Sequence, residues 1–194
     1  VPEPGKIVAG EVCFDGRDIA TISARDMADL RGSEIALIFQ DPMSSWNPVK
    51  RIGQQIAEAM KLHRKIERKS IRDRVVDLLR KVGIPSPKER ARSYPHEFSG
   101  GMRQRGMIGM GLSNNPKLLI ADEPTTALDV TVQDQVIRLL RDVNEQYGTA
   151  LILITHNLAL VASLAERVVV MYAGRVMERG TAEQIFRAPQ HPYT

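Results

Sequence analysis

The sequence has 194 residues, 43% of them hydrophobic, with 27 Lys and Arg against 23 Asp and Glu, a net charge of +4. This length suits one compact domain and is too short for two large ones. The single cysteine, Cys13, excludes an internal disulfide, and no Cys/His cluster has zinc-site spacing, so composition favours a reducing compartment. Because no apolar run approaches about 18 residues and no secretory signal is visible, we expect a chain that is neither secreted nor membrane-spanning.

Two strand patterns open the chain. The run from Glu11 to Gly16 alternates and ends in Asp15-Gly16, a turn sequence that predicts an antiparallel strand pair. The apolar run from Ile35 to Phe39 is typical of a strand buried on both faces. It stops at Gln40, Asp41 and Pro42, so a loop follows.

Apolar residues recur at helical spacing between Arg51 and Val82 and predict two helices. The residues of this pattern are Ile52, Ile56, Ala59, Met60, Val75, Val76, Leu78, Leu79 and Val82. Gly83, Pro85 and Pro87 end the second helix. The basic stretch between Lys61 and Arg74 could bind nucleic acid, but acidic residues interrupt it and no aromatic residues interleave, which favours a solvated helix face.

From Leu118 the pattern predicts a βαβ unit. Two apolar strands, at 118–121 and 150–154, flank an amphipathic helix that ends at Gly148. Continuous apolar runs of this kind indicate that both strands are parallel and central in their sheet. The tail adds two strands, at residues 168–172 and 175–178, which are joined by a turn at 173–174. A short helix follows at residues 181–187.

Three polar residues follow these two parallel strands. Asp122 and Glu123 come directly after the first strand and His156 comes after the second. Parallel strands joined by a right-handed crossover end at the same sheet edge, so we expect the three side chains to face one crevice. Buried carboxylates favour an adjacent cation or an activated water. Taken alone, Asp122 could equally cap the following turn and Glu123 could be solvated.

A second candidate ligand site is the segment Ser99-Gly-Gly-Met-Arg-Gln104, called here the signature segment. It opens a helical stretch that runs to about Leu112. Small residues and unpaired backbone N–H groups at a helix N-terminus suit a phosphate. In isolation the same residues would be only a helix cap.

Taken together, these motifs resemble those of the ABC transporter ATPases. The family's motifs occur here in the family's order: Gln40, Ser99–Gln104, Leu118–Glu123, Ala127-Leu-Asp129 and His156. The resemblance covers essentially the whole chain. It implies an α/β fold, a P-loop NTPase-like ABC ATPase core with a mostly parallel sheet, an antiparallel β edge and a helical subdomain.

The resemblance also implies a division of the partial ATPase domain at 1–194. Residues 1–40 would form an N-terminal β part that ends with the Gln40 loop. Residues 41–112 would form the helical subdomain with the signature segment, and residues 113–194 the remaining part of the core.

Several site residues follow from the resemblance. Asp122 resembles the acidic residue that holds Mg²⁺ through water, and Glu123 the general base that orients the attacking water. Gln40 would contact Mg²⁺ or that water and sense the membrane partner. His156 resembles the switch histidine that hydrogen-bonds the γ-phosphate of ATP.

The same resemblance implies a second subunit. Ser99, Gly100, Gly101 and Gln104 would bind the γ-phosphate of ATP that the opposite subunit holds, and Asp129 would cross the dimer interface. Each ATP site would then be completed by the partner.

A narrower resemblance is to importers of dipeptides and oligopeptides. It is carried by Gln40–Ser45, Asn47-Pro48, Tyr94–Gln104 and His191–Thr194, although nickel and glutathione importers share much of it. The implied cofactors are ATP and Mg²⁺. The implied partners are transmembrane permease subunits, a second identical or sibling ATPase subunit and, indirectly, an external substrate-binding protein, with no nucleic acid. The implied location is the cytoplasmic face of the bacterial inner membrane.

The transport hypothesis predicts that the helical segment from about Ile52 to Leu112 docks, with the Gln40 loop, onto a cytoplasmic helix of a permease. A soluble ABC protein that acts on nucleic acid is an alternative, although such proteins usually carry a long coiled coil or a duplicated domain. A noncatalytic binding module is a third reading.

Two features depart from the family pattern. Trp46 stands where leucine is usual, and Gly106, Gly109 and Gly111 stand where the helix normally carries alanine or bulkier residues. Each glycine costs about 1 kcal/mol in a helix interior. The glycines could therefore loosen the helix, or packing could compensate.

The phosphate-binding motif G-x-x-x-x-G-K-[ST] does not occur in the sequence, since Gly5-Lys6 is followed by Ile7. The family order places that loop upstream of the segment from Val1 to Gly16, so the resemblance implies N-terminal truncation, and a cysteine-rich tail would follow Thr194. Without the cradle that positions the β- and γ-phosphates, we expect negligible ATPase activity from the isolated chain.

Overall fold

The computed structural model describes residues 5, 7–41, 45–63, 68–126 and 128–194. Pro42, Met43 and Ser44 of the Gln40 motif, and Ala127, lie outside the described residues, as do Arg64 and Lys65 of the basic stretch. The strands are β1 (Cys13–Phe14), β2 (Arg17–Asp18), β3 (Ile35–Ile38), β4 (Leu118–Asp122), β5 (Ala150–Ile154), β6 (Arg167–Tyr172) and β7 (Arg175–Thr181). The helices are α1 (Ala24–Leu30), α2 (Ile52–His63), α3 (Arg68–Lys81), α4 (Pro87–Arg90), α5 (Gly100–Leu112), α6 (Val130–Tyr147), α7 (Leu158–Leu164) and α8 (Ala182–Arg187), with a 3₁₀ turn at Pro95–Glu97.

Strands β3, β4 and β5 form a parallel sheet in that order, which confirms the predicted βαβ unit. Strand β4 is central, but within the described residues β5 pairs with β4 alone, so the prediction that both strands are central is wrong for β5. The prediction that β3 is buried on both faces is also wrong. Leu37 and Ile152 are 45% and 49% exposed, because the described helices cover only the opposite face of the sheet, where Ile38 and Leu119 are fully buried.

Two antiparallel hairpins complete the strands, as the sequence predicts. The first joins β1 to β2 through Asp15 and Gly16, which have φ angles of 50° and 76°. The second joins β6 to β7 through Ala173 and Gly174. Paired positive φ angles match the right-handed twist of a hairpin, which is why Asp-Gly predicts this turn well.

The core lies between the helices and one face of the sheet. Helices α2, α3 and α5 pack on one another, and α5 also packs on β3. The largest fully buried apolar side chains there are those of Ile38, Ile52, Ile56, Leu79, Ile108, Leu119 and Leu140. The sequence patterns did not predict helices α1 and α7, each 7 residues long. None of the helices in the described ranges is long and apolar enough to cross a membrane.

The glycines of α5 lie where neighbouring side chains come close. A Cβ atom at Gly109 would lie 3.3 Å from Cγ1 of Val82, and one at Gly106 would lie 3.3 Å from Cζ2 of Trp46. At Gly111 the nearest atoms would be those of Ala36 and Leu119, at 3.6 Å. Close packing therefore compensates for the low helix propensity of glycine, and the helix is continuous from Gly100 to Leu112.

Candidate functional site

Glu123 is held at the carboxyl end of the parallel sheet. It directly follows β4, and its backbone N–H donates to the carbonyl of Ile154 at the end of β5, at 2.8 Å. Its φ angle is +44°, in the left-handed region that a glutamate rarely adopts. Such a conformation costs on the order of 1–3 kcal/mol and persists only where surrounding contacts fix it. The sheet edge therefore holds this carboxylate in a strained, defined position.

Three side chains converge on the Glu123 carboxylate. Gln40 donates from Nε2 to Oε2 at 3.0 Å, and the hydroxyl of Thr126 donates to the same oxygen at 2.7 Å. Nδ1 of His156 lies 3.0 Å from Oε1. The prediction that the acidic pair and His156 meet at one edge is confirmed for Glu123 and His156. The alternative of a solvated Glu123 is wrong, because both of its oxygens are hydrogen-bonded.

The hydrogen bonds stabilise the ionised form of Glu123. The Thr126 hydroxyl and the His156 ring, with a smaller contribution from Gln40, hold the pKa of Glu123 below its ordinary value. The His156 side chain is 77% exposed and that of Glu123 23% exposed, so the cluster opens to solvent at the imidazole. Glu123 is therefore a carboxylate at neutral pH, within reach of a ligand from outside.

Asp122 is the last residue of β4 and lies opposite Ile154 in the sheet register. It is half-buried, and its place in the chain puts it beside Glu123 at the same sheet edge. Within the described residues, no group of three or more His, Cys, Asp and Glu side chains could hold a metal ion. A hard cation at this edge would thus depend on one or two carboxylates together with oxygens of the ligand, the usual pattern for Mg²⁺.

The signature segment forms the start of α5. Ser99 is the N-cap, and its hydroxyl accepts from the Met102 N–H at 3.3 Å, so the helix-cap interpretation is correct for this residue. Gly101 is buried against Val132. The approach is so close that a Cβ added at Gly101 would lie only 2.3 Å from Cγ1 of Val132. Gln104 is only 2% exposed, so in this conformation its side chain is away from the surface that a second subunit could reach.

Asp129 plays the same structural part for α6. Its side chain caps that helix by accepting from the Val132 N–H at 2.9 Å. Val132 therefore contacts the start of both helices, through its side chain at Gly101 and its amide at Asp129. The signature segment and the segment around Asp129 are packed together in one chain.

One member of this site and one contact within it do not follow from the sequence patterns. Thr126 was not singled out, although a hydroxyl three residues after a glutamate in the turn Glu-Pro-Thr-Thr is a local signal for such a bond. The direct contact between Gln40 and Glu123 spans 83 residues of chain, and no local pattern could have revealed it.

Comparison with known proteins decides the family. The family model described as ABC transporter matches residues 3–126, well over half of the chain. The chain belongs to the ABC transporter family. This ABC transporter chain is 52% identical over 191 residues to the oligopeptide transport ATP-binding protein OppD of Bacillus subtilis, covering 98% of this chain and 53% of the relative. It is 53% identical over 191 residues to the dipeptide transport ATP-binding protein DppD of Escherichia coli, covering 98% of this chain and 58% of the relative.

Solved structures bear out the fold of this ABC transporter chain. The ATP-binding cassette MJ0796, in a dimeric post-hydrolysis state bound to ADP and Pi, matches with a TM-score of 0.81 at 24% identity, over 90% of this chain and 74% of that one. CbiO1 from Clostridium perfringens, part of the ABC transporter complex cbiONQ, matches with a TM-score of 0.80 at 29% identity, over 93% and 69%. The predicted ABC ATPase core fold is thus confirmed. The chain spans about half the length of the curated relatives it matches.

Proposed function

We propose that this chain is part of the ATP-binding and ATP-hydrolysing subunit of an ABC importer for dipeptides or oligopeptides. The observation that carries the proposal is the convergence of Gln40, Thr126 and His156 on the carboxylate of Glu123. The names of relatives that are about half identical over nearly the whole chain supply the class of cargo.

Glu123 is the proposed base. A carboxylate offers about four lone-pair sites on its two oxygens. Three are used by Gln40, Thr126 and His156, which leaves about one site to accept a proton from the attacking water. Because the pKa of Glu123 is lowered, its main contribution is to orient that water rather than to hold its proton tightly.

His156 and Gln40 each contact Glu123 through one atom, and each has a second polar atom that can bind the nucleotide or the metal. The Nδ1 atom of His156 faces Glu123, so Nε2 of the exposed ring is directed away from it and, when the imidazole is doubly protonated, can donate to a γ-phosphate oxygen. Gln40 uses its amide nitrogen on Glu123, which leaves the amide oxygen as a ligand. Asp122 and the Gln40 oxygen are hard donors that suit Mg²⁺, which would neutralise charge on the phosphate oxygens.

A second ATPase subunit is the proposed partner for the signature segment. Ser99 is exposed at the positive end of α5, a helix of 13 residues, where backbone N–H groups and the helix dipole favour an anion. Gly100 adds no side chain at this end, and Gly101 allows the helix to pack closely against Val132. We propose that this end receives the γ-phosphate of ATP held by the other subunit and that the exposed Asp129 lies beside it.

The decisive experiment is a chimera in which residues 7–194 replace the matching segment of DppD from Escherichia coli, with which this chain is 53% identical over 191 residues. It would be expressed in a strain that lacks its own DppD. We expect ATP hydrolysis and dipeptide uptake. Changing Glu123→Gln in the chimera should lower turnover at least about 100-fold. The 194-residue chain alone serves as a baseline with negligible turnover.

Two results would contradict this proposal. One is equal turnover by the chimera and its Glu123→Gln variant, which would remove Glu123 from the chemistry. The other is hydrolysis without dipeptide uptake, which would leave an ATPase but refute the cargo. Thr126→Val provides a matched control of similar shape, and it should reduce turnover less than Glu123→Gln does.

A permease is the proposed membrane partner, and one cleft in the helical part fits it by charge. The cleft, of about 730 Å³, lies among α2, α3 and α4. Its described charged residues are five basic and two acidic ones: Arg51, Lys61, Arg72, Lys88, Arg92, Glu58 and Asp73. Apolar residues of α3, including Ile71 and Val75, line its inner wall. We propose that this cleft takes a cytoplasmic helix with an apolar face and acidic flanks.

Charge reversal would test the docking. In the chimera, Arg72→Glu combined with Lys88→Glu should reduce co-purification with the permease and uncouple hydrolysis from uptake. Arg74→Glu lies on the same helix outside the cleft and should change neither. Unchanged co-purification with the double reversal would place the permease contact elsewhere.

A further inference from the structure

Trp46 is a feature that the proposed function leaves unused. It is the only tryptophan of the chain and is only 3% exposed. Its indole Nε1 donates to the carbonyl of Arg103 in α5, at 3.2 Å. Its ring lies against Gly106, where an added Cβ would be 3.3 Å from Cζ2. The two departures from the family pattern, a large residue at 46 and a glycine at 106, therefore occupy one shared volume.

Hydrogen bonds connect Trp46 back to the catalytic cluster. The hydroxyl of Ser45 donates to the carbonyl of Asp41 at 3.1 Å, so the residue before Trp46 is tied to the residue after Gln40. Gln40 in turn donates to Glu123. At its other end, Trp46 binds Arg103, which lies one helical turn after Ser99. A continuous series of contacts thus runs from Glu123 to the start of α5.

We propose that Trp46 is a positioning residue that fixes the start of α5 relative to the Gln40–Glu123 cluster. This inference rests on the proposed function, in which Ser99 and Glu123 act on ATP at opposite sites of a dimer. Gly106 makes room for the indole, and the N–H group sets its orientation. Trp46 and Gly106 together form a rigid contact. Through this contact, a displacement of Gln40 would move Ser99 in the same direction.

The chimera described above allows the test. Trp46→Leu removes both the ring contact and the hydrogen bond, and should lower ATP turnover on the order of tenfold, because small misplacements of catalytic elements are costly. Binding of a fluorescent ATP analogue to the monomer should stay unchanged. Trp46→Phe keeps part of the ring and loses the N–H, so its turnover should lie between that of the unmutated chimera and that of Trp46→Leu. Adding Gly106→Ala to Trp46→Leu should restore part of the turnover, since the methyl group enters the vacated space.

Other outcomes would overturn the proposal. Parental turnover in Trp46→Leu would show that the contact positions nothing. A fall of analogue binding in proportion to the fall of turnover would show that Trp46 only maintains the fold, and it would overturn the positioning role. If Trp46→Leu does not fold, ATP turnover and analogue binding are measured in Trp46→Phe and Gly106→Ala instead. Lower turnover with unchanged analogue binding in these variants would support the proposal, and parental turnover in both would overturn it. An inactive unmutated chimera would instead contradict the proposed function itself.

The contact can also be measured in the 194-residue chain, where Trp46 is the sole tryptophan. Gly106→Ala should shift its emission, because the methyl group presses on the indole. Gly111→Ala, on the same helix, serves as the control, because its added methyl group would meet no atom nearer than 3.6 Å and would lie against Ala36 and Leu119 rather than the indole. Identical emission from Gly106→Ala and the unchanged chain would refute the contact.

Discussion

Helix α5 is buried at 7 of its 13 residues, whereas α6 is buried at 3 of its 18, yet the two begin alike. Each is capped by a side chain, Ser99 or Asp129, that accepts from the amide of the third helical residue. Beyond the cap, α5 packs against three elements, β3, α2 and α3. Helix α6, in contrast, buries only one apolar stripe. The two helices thus share the same type of N-cap but should tolerate substitutions differently, because the packing around each residue rather than the cap determines which side chains fit there.

The largest expected effect is in the interior of α5. Ile108 is fully buried, and Ile108→Ala should destabilise the chain by about 2–5 kcal/mol through lost burial and the cavity left behind. Arg138→Ala, on the exposed face of α6, should change stability by less than about 0.5 kcal/mol. Urea unfolding measures both. Similar losses for the two variants would remove the contrast between the helices.

A smaller effect is expected where the helices meet. Gly101→Ala places a methyl group 2.3 Å from Cγ1 of Val132, a stiff β-branched side chain, and should cost about 1–3 kcal/mol by overpacking. Val132→Ala should relieve most of that cost when combined with it. Thermal unfolding of the two single variants and the double variant gives the coupling. Additive effects would mean that the two helices do not share this contact.

The caps should contribute nearly equally. Ser99→Ala and Asp129→Ala should each cost on the order of 1 kcal/mol, because each leaves the amide of the third residue unpaired. Asp129→Asn keeps an acceptor oxygen and is the conservative control. A cost at Ser99 several times that at Asp129 would show that the caps, too, depend on their surroundings.

The smallest expected effect is on the pH dependence, from the segment that leads into α6. The pKa of Glu123 is below its ordinary value in the folded chain, first through Thr126 and then through His156. Its carboxylate therefore stabilises the fold above its unfolded-state pKa, and this contribution is lost as the pH falls through the lower folded-state pKa. The stability difference between the chain and its Glu123→Gln variant should shrink between about pH 7 and about pH 3. Urea unfolding at both pH values checks this, and a constant difference would contradict it.

Much of the fold follows from local sequence patterns. Helical spacing predicts α2, α3 and α6, and the apolar runs before Asp122 and His156 predict β4 and β5. These patterns are informative because the period of side-chain burial is set by the backbone geometry of the element itself. The meeting of Glu123 with His156 follows from the rule that parallel strands end at one edge.

The tertiary structure alone decided the remaining features. It brings Gln40 to Glu123 across 83 residues, seats Trp46 on Gly106, and leaves Leu37 and Ile152 exposed on one face of the sheet. Each depends on which distant side chains share a volume, and this is set by the packing of whole elements. Composition and spacing determine what each segment can form, whereas close packing determines which segments touch.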